Sequence, residues 1–327
     1  MKFAKWLGLI LLILIVVYFL GPRPKPPVYD PSLPAVPETA MLTQYVSAGE
    51  SHHKIKPDNE ARIIWANDSV RQATEYSVVY LHGFSASQEE GDPVHQFFAS
   101  RFGCNLYLAR LAEHGIDTTE PLAAMTADKL WNSAKEAYAI GKKLGKKVIL
   151  MGTSTGGTLA LKLAAEYPEI AGLILLSPNI AINDPLAWVA NNHWGLTVAR
   201  MVKGKYNEDH DTALLNTRYW NSKYRMEAVS ELQELLETTM KASLFEKIKQ
   251  PALLLYYYKD EDHQDPTVKV SAMQRMFRQL GTPDSLKREA ALPNTQAHVI
   301  GSYIKSKDVD GVKKECILFG ENILHLQ

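Results

Sequence analysis

The chain has 327 residues, 46% hydrophobic and 22% charged, an ordinary globular composition that allows one large domain or two small ones. Its 36 basic and 36 acidic side chains cancel, which argues against a protein that gathers nucleic acid on a basic surface. The two cysteines, Cys104 and Cys316, lack the spacing of a metal site or redox pair, so we expect buried free thiols. No metal and no organic cofactor is implied.

The chain opens with an almost unbroken apolar run from Trp6 to Leu20, preceded by Lys2 and Lys5. With its flanks, this run approaches the ~20 residues that cross a bilayer. It ends in Tyr-Phe-Leu-Gly-Pro, which lacks the small residues of a signal-peptidase site. We therefore predict an uncleaved single-pass membrane anchor over residues 1–21. The two lysines favour a cytoplasmic start and an extracytoplasmic body, although basic residues follow the run as well.

Residues 22–60 are predicted to link this anchor to the body. Their first part, as far as Pro37, is rich in proline and predicts a stiff, extended spacer that holds the body a short way off the membrane. The rest of the linker is polar and predicts no clear element. His52 and His53 are adjacent, which is a poor spacing for one metal ion, so we interpret them as surface histidines.

From residue 61 to residue 327, short apolar runs alternate with segments of helical periodicity. The predicted strands cover residues 62–66, 77–82, 104–109, 147–151, 172–177, 251–258 and 287–292. Such alternation predicts an α/β fold with a mostly parallel sheet and helices on both faces. At about 180–249 it gives way to a helical segment rich in aromatic residues. We expect this segment to lie over the strand ends as a cap or lid; the alternative, that its aromatics only form a small core of their own, stays open.

The strand at 147–151 runs into Gly152-Thr153-Ser154-Thr155-Gly156, and a helix follows at once. The two glycines lack the Cβ atoms that would clash in so sharp a bend. Such a bend lifts Ser154 out of the fold, and the free N–H groups of the helix point back at it. A hydroxyl held there becomes a nucleophile if a base takes its proton. A serine-rich helix cap would have the same local pattern, so the interpretation depends on the partners.

Three further polar segments follow strand ends: His82-Gly83-Phe84, the acidic loop 259–265, and the segment that carries His298. The carboxyl ends of parallel strands meet at one edge of a sheet, which is where open α/β folds place their sites. We therefore expect these segments to approach Ser154.

In this order of serine, acid and histidine, residues 60–327 resemble the α/β-hydrolase family, in particular its lipase- and esterase-like members. The resemblance is carried by four features: the Gly-Thr-Ser-Thr-Gly turn, His82-Gly83-Phe84, the late acid, and the histidine stretch Pro293–Val299. In addition, Glu113-His114-Gly115 is similar to the family's Gly-His-Gly turn, with glutamate in place of the first glycine. It implies that Ser154 is the nucleophile and His298 the general base. It also implies an oxyanion hole formed by the backbone N–H groups of Phe84 and Thr155.

The third member of the triad is chosen among the acids of one loop. Asp265 is preferred because a valine follows it three residues later, ahead of an amphipathic helix, as in the family. Asp260 stays open because it stands where the strand ends, and Asp262 is the third choice. His82 is interpreted as structural support for the oxyanion loop. The histidines without a partner pattern are predicted to be non-catalytic: His95, His114, His193, His210 and His263.

The resemblance implies a membrane-anchored serine hydrolase that cleaves carboxylic esters, with a small-molecule ester or a lipid as substrate. A peptidase or acyltransferase could use the same triad, and a binding or envelope protein could keep the fold without the chemistry. The oligomeric state does not follow from the sequence.

Overall fold

The computed structural model describes residues 2–209 and 211–327. The prediction about His210 therefore lies outside the described residues, as does the first residue of the predicted anchor. The described strands are β1 (Arg62–Ile64), β2 (Thr74–Leu81), β3 (Asn105–Leu108), β4 (Gly145–Thr153), β5 (Gly172–Leu176), β6 (Tyr206–Glu208), β7 (Lys223–Arg225), β8 (Ala252–Tyr256) and β9 (Lys287–Ala291). The described α-helices are α1 (Lys2–Phe19), α2 (Leu42–Ser51), α3 (Val94–Arg101), α4 (Ala127–Leu144), α5 (Thr155–Glu166), α6 (Gly195–Lys203), α7 (Leu214–Tyr219), α8 (Met226–Thr239), α9 (Ala242–Phe245), α10 (Val270–Gln279) and α11 (Val309–Asn322).

Seven of these strands form one sheet in the order β1-β3-β2-β4-β5-β8-β9. Only β1 runs antiparallel to its neighbour within this sheet, and the remaining pairs are parallel. The sheet confirms the α/β fold with a mostly parallel sheet. Its carboxyl edge gathers the ends of β2, β4, β5 and β8, where the candidate residues were expected.

Apolar side chains cover both faces of the sheet, because successive residues of a strand point to opposite sides. In β2, Val79 and Leu81 join the larger apolar cluster, which includes side chains from α4, α5 and α10. Val78 and Tyr80 join the second cluster, with side chains from α3 and α11. Helices therefore pack on both faces, as predicted. Both cysteines are buried free thiols.

The segment at residues 180–249, here called the insertion, lies between β5 and β8 and contains α6 to α9. It also contains an antiparallel pair, β6 with β7, which the sequence did not predict. Each of these strands has only three residues, Tyr-Asn-Glu and Lys-Tyr-Arg, and neither carries an alternating apolar pattern. The pair is held by contacts with another segment of the chain, because the Tyr206 hydroxyl and the Arg225 guanidinium both donate to the carboxylate of Glu120.

Helix α2 was also absent from the sequence expectation. Only Leu42 and Val46 of this helix are buried, one turn apart, and they pack into the larger apolar cluster. Two apolar contacts in a polar stretch are too weak a period to predict a helix.

The proline-rich residues 22–37 contain neither helix nor strand, yet they lie along the body. The Trp131 indole donates to the carbonyl of Asp30 at 2.9 Å, and the Tyr167 hydroxyl donates to that of Pro31 at 2.6 Å. Lys135 Nζ donates to the carbonyl of Ser32 at 2.7 Å. The segment therefore packs on the body rather than standing away from it as a free spacer.

The apolar run at the chain start forms α1, whose large apolar side chains are exposed, from 42% at Tyr18 to 82% at Phe3. Across residues 2–209 and 211–327, no helix combines the length and the apolarity needed to cross a membrane. The structure therefore does not support the single-pass anchor predicted over residues 1–21.

Candidate active site

Ser154 stands between β4 and α5 with a backbone φ of 51° and ψ of −117°. A positive φ is sparsely populated for a residue with a Cβ and persists only when the surroundings fix it. The Ser154 N–H donates to the carbonyl of Leu176 at 3.0 Å, and its carbonyl accepts the N–H of Asn179 at 2.9 Å. Leu176 is the last residue of the neighbouring strand β5, and Asn179 lies in the loop that follows, so this strand and its loop hold the bend.

The two glycines of the turn are required by close packing. A Cβ on Gly156 would lie 1.9 Å from the carbonyl oxygen of Leu81, and one on Gly152 would lie 2.5 Å from the carbonyl carbon of Gly156. These glycines let α5 begin directly against the end of β2. The sequence therefore brings the Ser154 turn beside the loop that continues from β2, His82-Gly83-Phe84.

Asp265 and His298 are joined by a hydrogen bond of 2.7 Å between Oδ2 and Nδ1. The other carboxylate oxygen of Asp265 accepts the N–H groups of Thr267 at 2.8 Å and Val268 at 3.0 Å. The Asp265 side chain has no exposed surface. Three donors thus fix a buried carboxylate against one imidazole nitrogen.

The other two acids of the loop lie elsewhere. Asp260 Oδ1 accepts a hydrogen bond from His263 Nδ1 at 2.7 Å, and both side chains are at least half exposed. Asp262 is exposed. The structure therefore brings Asp265 to His298 and leaves Asp260 and Asp262 in solvent.

Ser154 and His298 line the same cavity, which has a volume of about 460 Å³. Residues from the insertion, among them Asn207, Trp220 and Tyr224, form much of its remaining wall. Within the described part of the chain, no hydrogen bond joins the Ser154 hydroxyl to His298. Catalytic contacts are often longer in a protein without substrate than in its complex. The cavity is in the usual size range for a small-molecule site.

Charge and burial oppose each other in the Asp265–His298 pair. Burial raises the pKa of Asp265, but the positive charge of His298, its hydrogen bond and the N–H groups of Val268 and Thr267 outweigh this, so the pKa is lowered. Burial lowers the pKa of His298, but Asp265, through charge and hydrogen bond, and Glu90 raise it above the ordinary value. The pair therefore favours an ionised carboxylate that stabilises an imidazolium.

The proposed oxyanion donors come from two chain segments. Thr155 is the first residue of α5, so its N–H is among those that a helix leaves without an internal partner. Phe84 lines the cavity. His82 Nδ1 donates to the carbonyl of Gly83 at 2.8 Å, while Nε2 accepts the Leu111 N–H at 3.0 Å. Burial, followed by the nearby His114, puts the pKa of His82 well below its ordinary value, so a neutral imidazole braces this loop.

The other described histidines lie outside this cavity. His95 Nε2 donates to the carbonyl of Gln88 at 2.9 Å, and the His114 ring packs 5.0 Å from that of His82. His193 Nδ1 donates to the carbonyl of Gly21 at 2.8 Å, beside the end of α1.

Sequence reasoning missed Glu90, the buried carboxyl among the three that line this cavity with Ser154. It belongs to the 3₁₀ turn Gln88–Gly91, is 2% exposed, and accepts a hydrogen bond from the Gly83 N–H. Because Gln88 and Glu89 precede it, the sequence pattern predicts a polar surface loop here. The only available signal was its position, six residues after the oxyanion loop.

A family model described as serine aminopeptidase, S33, matches residues 75–287. The thermostable monoacylglycerol lipase of Bacillus sp. (strain H-257) is 29% identical over 191 residues, covering 58% of this chain and 71% of the lipase.

Solved structures share the fold at low identity. One chain, described with the metagenome-derived lipolytic enzymes LipS and LipT, matches with a TM-score of 0.64 at 20% identity, over 81% of this chain and 98% of its own. Est1E from Butyrivibrio proteoclasticus with ferulic acid bound matches with a TM-score of 0.56 at 17% identity, over 81% and 95%. The monoacylglycerol lipase of Paleococcus ferrophilus matches with a TM-score of 0.53 at 17% identity, over 78% and 98%.

Proposed function

Because the chain belongs to the S33 serine aminopeptidase family of α/β hydrolases, we propose that it is a serine hydrolase that cleaves carboxylic esters through an acyl-enzyme. The observation that carries this proposal is the common cavity of Ser154 and His298, with Asp265 hydrogen-bonded to the far side of the imidazole.

In the proposed mechanism, His298 takes the proton of the Ser154 hydroxyl as the oxygen attacks the ester carbonyl. The tetrahedral intermediate then collapses, the bond to the alcohol breaks, and His298 gives its proton to the leaving alkoxide. Water, activated by the same imidazole, attacks the acyl-enzyme and releases the acid and free Ser154.

Asp265 and the oxyanion loop support these steps without bonding to the substrate's carbon. The carboxylate orients the imidazole and stabilises the imidazolium that forms in each half-reaction. The N–H groups of Phe84 and Thr155 would donate to the developing oxyanion. Removal of one such donor in a hydrolase typically costs ~3 kcal/mol of barrier.

The side chains of the cavity wall favour an ester substrate that has both a polar and an apolar part. Ile182, Val229 and Leu232 offer apolar surface, whereas Asn207 and Asn216 offer hydrogen-bonding groups. This mixed lining suits an acyl chain joined to a hydroxylated alcohol. The similarity to a monoacylglycerol lipase over 191 residues agrees with that substrate class.

A second candidate is hydrolysis of an aminoacyl amide bond, favoured by the description of the matching family as serine aminopeptidases. The same three side chains would act in the same order, with an amine as the leaving group. The two candidates therefore differ in substrate and not in the nucleophile.

The test is labelling with a fluorophosphonate probe, followed by assay against a monoacylglycerol, p-nitrophenyl esters and aminoacyl p-nitroanilides. We expect labelling at Ser154, ester hydrolysis, and loss of both in Ser154→Ala. Ser100 is exposed on helix α3 and does not line this cavity, so it provides the control: Ser100→Ala should keep both.

Labelling with cleavage of only the anilides would support the aminopeptidase instead. A folded wild type that neither reacts with the probe nor cleaves any of these substrates would refute the hydrolase proposal and favour a binding protein.

A further inference from the structure

A second buried carboxyl, that of Glu90, faces the candidate nucleophile. It lines the cavity that contains Ser154 and His298, and its Oε2 accepts the Gly83 N–H. A Cβ built on Gly83 would lie 2.7 Å and 2.8 Å from the two Glu90 oxygens and 3.0 Å from the Cβ of Ser154. The carboxyl and the serine side chain therefore border the same small space beside the oxyanion loop.

Glu90 has no cationic partner that would hold it as a carboxylate. In the part of the chain that the structure describes, it forms no salt bridge. The nearest titratable groups are Tyr80 on β2 and His298 across the cavity. Next to Glu90 in sequence, Glu89 and Asp92 are hydrogen-bonded to Tyr303 and Gln96. The cavity wall also carries Lys305, which is paired with Asp211, and three charged residues of the insertion, Asp184, Lys203 and Asp209. His298 is thus the group of opposite charge that faces it most directly.

Burial shifts the ionisation of this group strongly. It raises the pKa of Glu90 to about 7, against the opposing effects of the Gly83 N–H, His298 and Trp220. The carboxyl is therefore neutral in mildly acidic solution and loses its proton near neutrality.

We propose that Glu90 is a positioning residue of the oxyanion loop that works in its neutral form, and that loss of its proton slows hydrolysis. A neutral acid still accepts the Gly83 N–H and so holds the loop. A carboxylate in that place adds a negative charge beside the oxygen on which negative charge develops, and the repulsion between like charges is strong at a buried position. It also stabilises protonated His298, which cannot act as the base.

This inference rests on the proposed ester hydrolysis and predicts a descending limb in its pH profile. The kcat/KM of the wild type for a p-nitrophenyl ester should rise as His298 loses its proton and fall above pH ~7 as Glu90 ionises. At pH 8, a group with a pKa of about 7 is neutral in roughly a tenth of the molecules.

The experiment compares the wild type, Glu90→Gln and Glu89→Gln between pH 5 and pH 9. Glutamine keeps the shape and can still accept the Gly83 N–H, but it does not titrate. We expect the fall above pH 7 to disappear in Glu90→Gln, so that this variant exceeds the wild type by up to about tenfold at pH 8, the ratio reached when the ionised form is inactive. Glu89 contacts Tyr303 rather than the cavity, and Glu89→Gln should keep the wild-type profile.

Persistence of the fall in Glu90→Gln, or a uniform loss at every pH, would overturn the inference while leaving the hydrolase intact. If Glu90→Gln does not fold, the rate of fluorophosphonate labelling of the wild type carries the same test, because it should also fall above pH 7. Labelling that stays level from pH 7 to pH 9 would contradict the role given to Glu90. Absence of any labelling and any hydrolysis by the wild type would instead refute the proposed function.

Discussion

Asp265 and His298 are 33 positions apart in the chain, and their side chains meet in a hydrogen bond of 2.7 Å. In the same loop, Asp260 makes a bond of equal length to His263. The first pair is buried at the cavity and the second lies in solvent. One short loop thus supplies the carboxylates of two carboxylate–imidazole pairs that differ in environment and not in bond length.

These pairs provide a matched test of the proposed acid. Asp265→Asn should lower kcat/KM for an ester by about a thousandfold or more, because an amide neither fixes the correct tautomer of His298 nor stabilises its charge. Asp260→Asn should change it by less than about twofold, since an exposed pair contributes little. Ester assays on both folded variants check this. If both variants lost the same factor in kcat/KM, or if Asp260→Asn lost more, Asp265 would not be the acid of the triad.

The glycines of the serine turn give a prediction about stability. Gly156→Ala should lower the free energy of unfolding by more than ~2 kcal/mol, because the new Cβ meets backbone 1.9 Å away. Gly49→Ala, in helix α2, meets nothing within 4 Å and should leave stability unchanged or raise it by up to ~1 kcal/mol. Urea unfolding of the two variants measures the difference. A Gly156→Ala protein as stable as the wild type would contradict the packing described for the turn.

Two buried histidines predict a loss of stability in acid. Burial lowers the pKa of His95 and of His114 to about 4 from an ordinary 6.5. As the pH falls, the unfolded chain therefore takes up these protons before the folded chain does. The free energy of unfolding is at its full value above pH 6.5 and decreases as the pH falls towards 4. Each histidine should contribute ~1.4 kcal/mol per pH unit in that window.

Urea unfolding at pH 7, 6 and 5 checks this slope. His95→Gln, which can still donate to the Gln88 carbonyl, should reduce it, and His53→Gln at an exposed position should not. A slope that is the same in all three proteins would mean that His95 is already charged in the folded state.

The elements that the sequence predicted well are those with a strong local signal. The central strands of the sheet are apolar runs because helices cover both faces. The Ser154 turn is marked by two glycines at positions where a Cβ would clash with the backbone. The short strands Tyr206–Glu208 and Lys223–Arg225 have no such signal. Helix α2 has only two buried side chains to reveal it.

The candidate site was predictable only as far as the order of its residues. Asp260 and Asp265 could not be separated by sequence, because the choice depends on which carboxylate the loop turns towards His298. Glu90 could not be found, because a glutamate in a polar stretch is ordinarily exposed and only the assembled loops bury it. In both cases the deciding contact is made between distant parts of the chain.

The proline-rich segment supplies a further prediction. Removal of residues 2–20 should change the free energy of unfolding little, because the large side chains of α1 are exposed. Removal of residues 2–37 should lower it by several kcal/mol, since it strips Trp131, Lys135 and Tyr167 of their backbone acceptors. Chemical unfolding of the two truncated proteins measures this. Equal stability of both would mean that the segment packs only loosely.

Ser154 holds a backbone conformation that glycine adopts freely, and such a conformation typically costs a residue with a side chain ~1–3 kcal/mol. Stability and the proposed chemistry thus demand different residues at this position. A lineage selected for heat resistance alone would drift from serine to glycine there and lose the proposed nucleophile. Retention of serine in a heat-stable descendant would therefore be a record of continued selection for catalysis.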